Sequence, residues 1–334
     1  MTVWFVGGYT SDMGGEAEGI AVLSSRADGS LENVGGVAST ASPSYLLVTE
    51  STVFAAGEGA GSVSAFSRTG ATGLTEHTVA SAGGAAPCHL ALYGDTLVVA
   101  CYVDGNVTTF DREPLVARGT LTASGSGPRR EQDGPHAHSS ARLADGRIVS
   151  ADLGADRIHV HSLSDGRLVR ESSLELPSGT GPRDLHVLSN GLVLVLAEFG
   201  LEILVLRVSA DGTLSLDSRV PLPGARTGDQ AAALAITHDE RFVYSGLRGS
   251  NRVAALSLTI GGESADAASV SFLALGSVSS EGDWPRHLVV DGDIVHVANQ
   301  RSSSVASFQI GDSGLPALIA EPTEVASPTL LAKA

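Results

Sequence analysis

The chain has 334 residues, of which 43% are hydrophobic and 17% are charged, and this composition excludes a disordered protein. Its formal net charge of −16 would repel a phosphate backbone, so nucleic acid is not expected as a partner. Forty glycines and thirteen prolines, dispersed along the chain, indicate many short turns and favour an all-β protein over a helical one.

The sequence carries no recognisable targeting or membrane segment. Residues Met1–Thr10 lack the basic and long apolar regions of a signal peptide. The most apolar run, Gly191–Val208, is interrupted by Glu198 and Glu202 and is too polar to span a membrane. Two cysteines do not make a disulfide framework. We therefore expect a cytoplasmic protein that does not associate with a membrane.

The first recurring element is a proline followed by a short apolar run. In chain order the copies are SPSYLLV around Pro43, APCHLAL around Pro87, GPHAHSS around Pro135, GPRDLHVL around Pro182, the proline-less DQAAALAI near Ala231, WPRHLVV around Pro285 and SPTLLA around Pro328. Their spacing is about 45 residues, which is typical of repeat proteins. The longest interval contains a polar insertion at Gly261–Ser269.

The second recurring element is an apolar strand, a tight polar loop and another strand. Its copies are VWFVGGYTSDMGGEAEGIAVL from Val3, VFAAGEGAGSVSAF from Val53, LVVACYVDGNVTTF from Leu97, IVSADLGADRIHVHSL from Ile148, LVLVLAEFGLEILVL from Leu192, FVYSGLRGSNRVAAL from Phe242 and IVHVANQRSSSVASF from Ile294. The sequence opens with a hairpin that lacks its proline strand, and it closes on a proline strand that lacks its hairpin. We therefore predict an all-β, seven-bladed β-propeller, one domain over residues 1–334, closed by pairing of the C-terminal strand with the N-terminal strands.

Two series of polar residues are expected at one mouth of the central channel, because strand one starts where strand two ends in an antiparallel blade. The first series directly follows the prolines and comprises Ser44, Cys88, His136, Arg183, Arg286 and Thr329. The second series ends strand two and comprises Glu58, Tyr102, Leu153, Glu198, Arg248 and Gln300. A structural role would suit small or apolar residues at these positions, so the arginines, glutamates, tyrosine and histidine predict a ligand site.

Five short motifs carry a resemblance to a known family: GGYT at Gly7, PHAHS at Pro135, ADLG at Ala151, GPR at Gly181 and VANQ at Val297. The chain resembles the seven-bladed lactonase propellers, which include the bacterial propeller-type 6-phosphogluconolactonase and have fungal carboxy-cis,cis-muconate cyclase as a relative. The resemblance covers almost the whole chain, and PHAHS preceded by GPRREQ is its most specific element. The chain departs from the family at Cys101-Tyr102, where Asn-Tyr is usual, and at Gly246-Leu247-Arg248, where Ser-Asn-Arg is usual.

The resemblance implies an active-site quartet of His, Arg, Glu and Arg, which maps onto the PHAHS motif, Arg183, Glu198 and Arg248. Spacing leaves open which histidine takes part. His136 directly follows the proline, whereas His138 replaces the leucine of other copies and is expected to point one pleat further in. The sequence therefore predicts His136 and His138 as candidates for one catalytic role.

Hydrolysis of a lactone needs a base for the attacking water and donors for the carbonyl oxygen. Either a PHAHS histidine or Glu198 can serve as the base, although a carboxylate needs burial to raise its pKa. Arg183 and Arg248 can bind an oxyanion, a carboxylate or a phosphate. The competing interpretation is that Glu198 and its arginine neighbours form a structural ion-pair network that plugs the channel.

Further substrate contacts are predicted at the mouth, in a set comprising Glu58, Tyr102, Arg286, Gln300 and Arg130, the last on the loop before PHAHS. His159 and His161 share a strand face, but no carboxylate or thiolate partner is placed beside them by the sequence. We therefore expect neither a metal nor a cofactor.

The predicted function is hydrolysis of a sugar-acid lactone, which for a phosphorylated lactone would belong to the pentose phosphate pathway. Phosphate and carboxylate present similar acceptors to arginine, so the sequence leaves phosphorylated and unphosphorylated lactones open. Two alternatives remain: a cyclase or isomerase that forms or rearranges a lactone, and a propeller that binds a ligand without catalysis. The second alternative is disfavoured, because only 4% of residues are aromatic and neither polar series forms an apolar rim.

Overall fold

A computed structural model describes residues 2–209, 211–262 and 267–334, and these residues form mostly β-strands. Two short 3₁₀ turns, Ser11–Met13 and Arg130–Gln132, interrupt the strands. The strands before residue 145 are β1 (Val3–Gly8), β2 (Gly19–Ser25), β3 (Leu31–Ser39), β4 (Pro43–Val48), β5 (Thr52–Gly57), β6 (Ser62–Thr69), β7 (Gly73–Ser81), β8 (Pro87–Tyr93), β9 (Thr96–Cys101), β10 (Val107–Arg112), β11 (Leu115–Leu121) and β12 (Ala137–Arg142).

The strands after residue 145 continue the same alternation of short segments and turns. They are β13 (Ile148–Asp152), β14 (Arg157–Ser164), β15 (Arg167–Glu175), β16 (Pro182–Val187), β17 (Val193–Ala197), β18 (Glu202–Val208), β19 (Leu214–Pro221), β20 (Gln230–Ile236), β21 (Phe242–Arg248), β22 (Arg252–Gly261), β23 (Ser269–Ser279), β24 (Pro285–Asp291), β25 (Ile294–Asn299), β26 (Ser304–Ile310), β27 (Pro316–Leu318), β28 (Thr323–Glu324) and β29 (Pro328–Lys333).

Within the described ranges the strands form seven antiparallel sheets, the blades of a β-propeller. Blade 1 is β29-β1-β2-β3, blade 2 is β4–β7, blade 3 is β8–β11, blade 4 is β12–β15, blade 5 is β16–β19, blade 6 is β20–β23, and blade 7 is β24–β27 with β28 paired to β26. The first strand of each blade lies against the first strands of both neighbouring blades, and these strands therefore surround the central channel. The predicted all-β, seven-bladed fold is confirmed.

Blade 1 closes the ring with strands from both ends of the sequence. Strand β29 pairs antiparallel with β1, in a register that places Lys333 opposite Trp4 and Leu331 opposite Val6. The C-terminal strand thus supplies the first strand that the N-terminal hairpin lacks, as predicted. The edge of β1 is paired rather than exposed, which removes a site where another chain could add a strand.

Burial explains why second strands such as β9 and β17 are nearly continuous in apolar residues. All residues of β9 and β17 are buried, whereas β19 on the outside of its blade is mostly exposed. The faces of neighbouring blades pack together, as where Leu194 and Leu196 of blade 5 join one core with Val243 and Leu256 of blade 6. Each such side chain contributes about 1.5–3 kcal/mol when fully buried.

The predicted polar insertion at Gly261–Ser269 connects β22 to β23, and its ends form the last paired position of that hairpin. Residues 263–266 lie outside the described residues. The insertion therefore lengthens the outer part of blade 6 and leaves its channel strand, β20, at the usual length.

Every first strand carries a β-bulge near its beginning, where one residue has no partner on the neighbouring strand. The bulged residues are Ser44, Cys88, His138, Arg183, Ala233, Arg286 and Thr329, and we call them the bulge ring. A bulge bends a strand and redirects a side chain, and bulges are enriched beside active sites. The seven blades thus direct seven side chains toward one level of the channel.

Candidate active site

A second ring of residues lies at the same end of the channel, directly after or at the end of the second strand of each blade. We call it the loop ring, and it consists of Tyr9, Glu58, Tyr102, Leu153, Glu198, Arg248 and Gln300. Six of these residues donate their backbone N–H to a carbonyl just before the first strand of the same blade, at 2.8–3.1 Å. Because this bond recurs from blade to blade, the loop ring and the bulge ring occupy one mouth of the propeller.

The recurring bond corrects the sequence alignment in blade 4. Leu153 N–H donates to the carbonyl of His136 at 2.8 Å, just as Glu198 N–H donates to Gly181 in blade 5. His136 therefore occupies the position before the proline, and Ala137 occupies the proline position. The prediction that His136 belongs to the series after the prolines is wrong: His138 is the bulge-ring residue, because Pro135 lies two residues earlier than in the other blades.

The two rings also contain members that the sequence analysis missed. Ala233 completes the bulge ring in blade 6, where the copy without a proline gave no marker. Tyr9 completes the loop ring in blade 1 and donates its backbone N–H to Ser327 at 3.1 Å. The loop between β1 and β2 is much longer than the corresponding loops of the other blades. A position counted back from the third strand therefore does not reach Tyr9 in blade 1. Alignment from the end of β1 would have found it.

Glu198 is the centre of a buried cluster of charges. Its Oε2 accepts a hydrogen bond from Arg183 Nη1 at 2.6 Å, and its Oε1 lies 2.8 Å from Arg248 Nη2. All three side chains are buried. Burial raises the pKa of Glu198, but the charges of Arg248 and Arg183 and their hydrogen bonds outweigh burial, and the pKa lies below its usual value. Glu198 is therefore a carboxylate at neutral pH.

Both arginines in this cluster remain able to act on a ligand. Burial lowers the pKa of Arg248 to about 9 against the attraction of Glu198, which leaves the guanidinium cationic at neutral pH. Two cations share one carboxylate, so the cluster carries a net positive charge. Such a cluster can bind an anionic group or a developing oxyanion.

Glu58 lies in a second and looser cluster. Its Oε1 accepts a hydrogen bond from the Tyr9 hydroxyl at 2.8 Å, and its Oε2 lies 3.5 Å from Arg286 Nη2. The Arg286 guanidinium also lies over the Tyr9 ring, 4.7 Å from its centroid. The structure thus joins the predicted residues Glu58 and Arg286 through a tyrosine that the sequence analysis did not select.

His136 is held by Tyr102. The two rings stack at a centroid distance of 4.4 Å and an interplanar angle of 3°, and His136 Nδ1 lies 2.7 Å from the Tyr102 carbonyl oxygen. A carbonyl only accepts, so Nδ1 carries a proton. Nε2 lies 3.2 Å from Oδ1 of the exposed Asp133. Asp152 Oδ1 fixes the backbone by accepting from His136 N–H at 2.8 Å.

His138 lies deeper, in the channel below the loop ring. Its ring meets the Tyr102 ring edge-on at 6.1 Å. Burial, followed by the charges of Arg183 and Arg286, lowers the pKa of His138 well below its usual value. Neutral His138 is consequently a weaker base than an ordinary histidine.

A cavity of about 50 Å³ lies in the channel at the level of the bulge ring. All seven bulge-ring residues line it, together with the residues that follow six of them, namely Tyr45, His89, Ser139, Asp184, His287 and Leu330. A single water molecule needs at least about 10–15 Å³ of such space, so the cavity can hold water or a small group.

Gln300 and Arg130 occupy different surroundings. Gln300 belongs to the loop ring, and its Oε1 is buried without a hydrogen-bond partner in the part of the chain that the structure describes. Arg130 is exposed on the 3₁₀ turn before PHAHS. The neighbouring Arg129 anchors this turn by lying 5.3 Å from the centroid of the Phe199 ring, next to Glu198 in sequence. Arg130 is thus near the mouth but makes no contact with the two clusters among the described residues.

Trp284 is a mouth residue that the sequence analysis missed. It precedes Pro285 in the left-handed region, with φ of 67°, which is unusual for a large side chain. Its ring lies 3.5 Å from the Arg301 guanidinium carbon and 5.3 Å from that of Arg248. Trp284 therefore contacts Arg248 at the mouth. No sequence signal indicated this contact, because neither polar series includes the position before the proline.

A larger cavity, of about 960 Å³, lies in blade 1 and contains none of the predicted site residues. Its walls are mostly backbone and small side chains of β2, β3 and the loop between β1 and β2. In the described ranges, no group of three or more His, Cys, Asp or Glu residues is arranged to hold a metal ion. Within the same residues, no helix is long and apolar enough to cross a membrane.

Comparison with known proteins places the chain in a family. The sequence profile described as "Lactonase, 7-bladed beta-propeller" matches residues 3–332. The chain belongs to the seven-bladed lactonase propeller family. The family predicted from GGYT, PHAHS, ADLG, GPR and VANQ is thereby confirmed.

Three relatives illustrate the range of this lactonase family. The 6-phosphogluconolactonase of Bacillus subtilis (strain 168) is 27% identical over 246 residues, which are 68% of this chain and 66% of that protein. A protein from Lactobacillus plantarum superposes over 100% of both chains with a TM-score of 0.90 and 26% identity. The Pseudomonas aeruginosa periplasmic gluconolactonase PpgL matches 99% of this chain and 98% of its own, with a TM-score of 0.87 and 25% identity.

Proposed function

We propose that this protein hydrolyses a sugar-acid lactone at the mouth formed by the loop ring. The observation that carries the proposal is the buried Glu198 carboxylate shared by Arg183 and Arg248, at 2.6 and 2.8 Å. This cluster concentrates positive charge in a chain whose formal net charge is −16. Membership of the lactonase family and the 6-phosphogluconolactonase of Bacillus subtilis among its relatives support the same chemistry.

In this proposal His136 is the general base. Its Nδ1–H donates to the Tyr102 carbonyl, so Nε2 can accept a proton from a water molecule that attacks the lactone carbonyl carbon. The imidazolium formed in that step can donate Nε2–H to Asp133 Oδ1, which lies 3.2 Å away. Protonation of the ring-opened alkoxide by the same nitrogen then completes the hydrolysis. Stacking on Tyr102 holds the ring in one orientation throughout.

Glu198 serves as a counter-ion in this mechanism and not as the base. Arg248 and Arg183 lower its pKa, which makes the carboxylate a poor proton acceptor but a good anchor for both guanidinium groups. Their remaining N–H groups stabilise the negative charge that develops on the carbonyl oxygen. The catalytic and structural interpretations of this ion-pair network therefore describe the same contacts, since a fixed pair of cations is what an oxyanion requires.

The cluster of Tyr9, Glu58 and Arg286 is proposed to bind the polar part of the sugar. Glu58 can accept hydrogen bonds from hydroxyl groups, and Arg286 can donate to a carboxylate or a phosphate. Tyr102 and Gln300 complete this set, with Arg130 at its edge. Small-molecule binding in a polar mouth agrees with the predicted partner, a sugar lactone.

The test is hydrolysis of freshly generated 6-phosphoglucono-lactone and of glucono-lactone, followed by proton release and corrected for spontaneous opening. The His136→Asn variant should lose at least about a hundredfold in kcat/KM, because removal of a general base costs that much. His77→Asn is the matched control, since His77 is exposed on β7 and distant from the channel strands. It should retain the wild-type rate.

The outcomes separate the remaining alternatives. Preference for the phosphorylated lactone would support a role in the pentose phosphate pathway, and preference for the plain lactone would support sugar-acid catabolism. Inactivity on both lactones, with turnover of an unsaturated acid such as carboxymuconate, would replace hydrolysis by the cyclase chemistry. The predicted cytoplasmic location stays a prediction, and one similar structure is of a periplasmic protein.

A further inference from the structure

The cavity at the bulge ring contains buried polar groups that the proposed hydrolysis does not use. It measures about 50 Å³ and lies in the channel, enclosed by residues from all seven blades. One small ion or one or two water molecules fit a space of this size.

Two buried serine hydroxyls in the cavity wall lack hydrogen-bond partners. Ser44 Oγ and Ser139 Oγ are both at least nine-tenths buried, and neither has a partner among the described residues. His89 Nδ1, also in the cavity wall, is likewise buried without a hydrogen-bond partner among the described residues. A buried hydroxyl without a partner costs about 1–3 kcal/mol, and such groups are rarely left unsatisfied. Three groups on three different first strands therefore point to one shared ligand.

Two guanidinium groups and one carboxylate line the cavity, and each guanidinium group also contacts a glutamate of the loop ring. Arg183 and Arg286 line it, and the carboxylate in its wall is Asp184. Asp184 already accepts backbone N–H groups from Leu185 and Leu234, each at 2.9 Å. Arg286 makes a single side-chain hydrogen bond within the described ranges, to Glu58 at 3.5 Å, so it retains N–H groups for another acceptor.

Two imidazoles in the cavity wall have lowered pKa values. Burial lowers the pKa of His138 and His287, and the next contributions to both are repulsion by Arg183 and Arg286. The pKa of His287 falls to about 4. Two separate groups thus experience net positive charge at this level of the channel, which disfavours a cation and favours an anion.

We propose that the cavity binds a small monovalent anion of the size of chloride. The anion accepts hydrogen bonds from the Ser44 and Ser139 hydroxyls and lies between the guanidinium groups of Arg183 and Arg286. The anion only accepts hydrogen bonds, as these donors require. A water molecule in the same place would also direct its own protons toward a positively charged wall. The anion shares Arg183 and Arg286 with the proposed lactone site, but the proposal rests on the unpartnered serine hydroxyls and not on lactone hydrolysis.

Chloride should stabilise the fold in a way that a bulky anion does not. We expect the thermal midpoint to rise by about 2 °C or more with increasing sodium chloride, relative to sodium isethionate at equal ionic strength. Isethionate is too large for the cavity but screens surface charges equally. Identical curves in the two salts would overturn the proposal.

The variant test uses serines that lie outside the proposed catalytic set. The double variant S44A/S139A should lose the difference between chloride and isethionate. Ser245→Ala is the matched control, since Ser245 is buried, its hydroxyl lacks a partner among the described residues, and it does not line the cavity. It should retain the full difference. Equal loss in both variants would show that the effect does not arise in the cavity.

A crystal of the wild-type protein grown with bromide decides the location, even if the double variant fails to fold. An anomalous peak within hydrogen-bonding distance of Ser44 Oγ or Ser139 Oγ is the expected result. Bromide on the surface only, with water in the cavity, would overturn the proposal. None of these measurements uses a lactone, so a failure here is distinguishable from a failure of the proposed hydrolysis.

Discussion

Glu198 and Glu58 occupy the same loop-ring position in blades 5 and 2, yet their surroundings differ. Glu198 contacts two arginines at 2.6 and 2.8 Å, and one of them comes from its own blade. Glu58 contacts one arginine at 3.5 Å, from blade 7, and a tyrosine hydroxyl from blade 1. The first cluster spans two adjacent blades, whereas the second spans three and includes the closing blade.

The comparison teaches that a repeated backbone position does not determine the chemistry of its side chain. Both glutamates end a second strand at the same level, and the neighbours decide their roles. Paired cations fix Glu198 as a buried counter-ion, and a neutral hydroxyl with a distant cation leaves Glu58 freer to accept from a ligand. We therefore expect substitutions in the first cluster to have larger effects than the equivalent substitutions in the second.

Glu198→Gln should produce the largest effect. Removal of the carboxylate leaves Arg183 and Arg248 buried without their counter-ion, which costs about 3–5 kcal/mol when one partner of a buried pair is removed. Lactone turnover should fall by at least about a hundredfold as the oxyanion donors lose their fixed positions. Kinetics and chemical denaturation measure the two effects. Glu175→Gln, which breaks an exposed pair with Arg157, is the control. Wild-type turnover with unchanged melting would remove Glu198 from the mechanism.

Arg183→Ala should weaken binding of an anionic product such as 6-phosphogluconate or gluconate by about tenfold or more, since a hydrogen bond to a charged group is worth about 1.5–3 kcal/mol. Isothermal titration calorimetry gives the affinity directly. Arg157, which is half-buried at the start of β14 and outside both clusters, provides a matched Arg157→Ala control that should bind as the wild type does. An affinity unchanged in Arg183→Ala would discard this assignment.

Glu58→Gln should have a smaller effect than Glu198→Gln. The glutamine oxygen can still accept from the Tyr9 hydroxyl, and the contact that weakens is the 3.5 Å pair with Arg286. We expect a loss of about 1 kcal/mol in the free energy of unfolding and less than a tenfold loss in kcat/KM. Losses equal to those of Glu198→Gln, measured side by side, would contradict the difference drawn between the two clusters.

The smallest predicted effect is a dependence of stability on pH away from both clusters. Burial lowers the pKa of His296 from about 6.5 to about 4 in the folded protein. The unfolded chain therefore binds more protons between these values, and the free energy of unfolding falls as the pH decreases from about 6.5 to about 4. Glu198 adds a loss at lower pH, because its folded-state pKa is lowered too. Denaturant titrations of His296→Asn should show a shallower slope across the first interval, and an unchanged slope would exclude His296 as its source.

The fold was predictable because its signals are local and repeated. Five first strands begin at the marker prolines themselves, namely Pro43, Pro87, Pro182, Pro285 and Pro328. A proline fits the first residue of a strand, where its missing N–H costs no ladder hydrogen bond. The out-of-phase ends of the repeat predicted the pairing of β29 with β1, since an unpaired edge would otherwise remain.

The site was predictable only in part, because side-chain partners depend on contacts between blades. The alignment of His136 with the residues after the other prolines was wrong, because Pro135 does not begin β12 and the recurring backbone hydrogen bond that identifies the register is invisible in the sequence. Trp284 was missed because its role depends on two guanidinium groups that stack beside it from different loops. The close pairing of Arg183, Glu198 and Arg248 agrees with what the family resemblance implied, whereas composition alone indicated only a polar mouth.

Closure of the ring by β29 has a consequence for the synthesis of this protein on the ribosome. Strand β29 leaves the ribosome after the strands of blades 2 to 7. Until then the ring is incomplete and the inner edge of β1 is unpaired. Tyr9 follows β1 directly, and its contacts with Glu58 and Arg286 join blades 1, 2 and 7 across this last gap. The looser of the two glutamate clusters needs Arg286 of blade 7, so it can form only after that strand has been translated. The residues of the Glu198 cluster are all delivered earlier, once Arg248 of blade 6 has been translated.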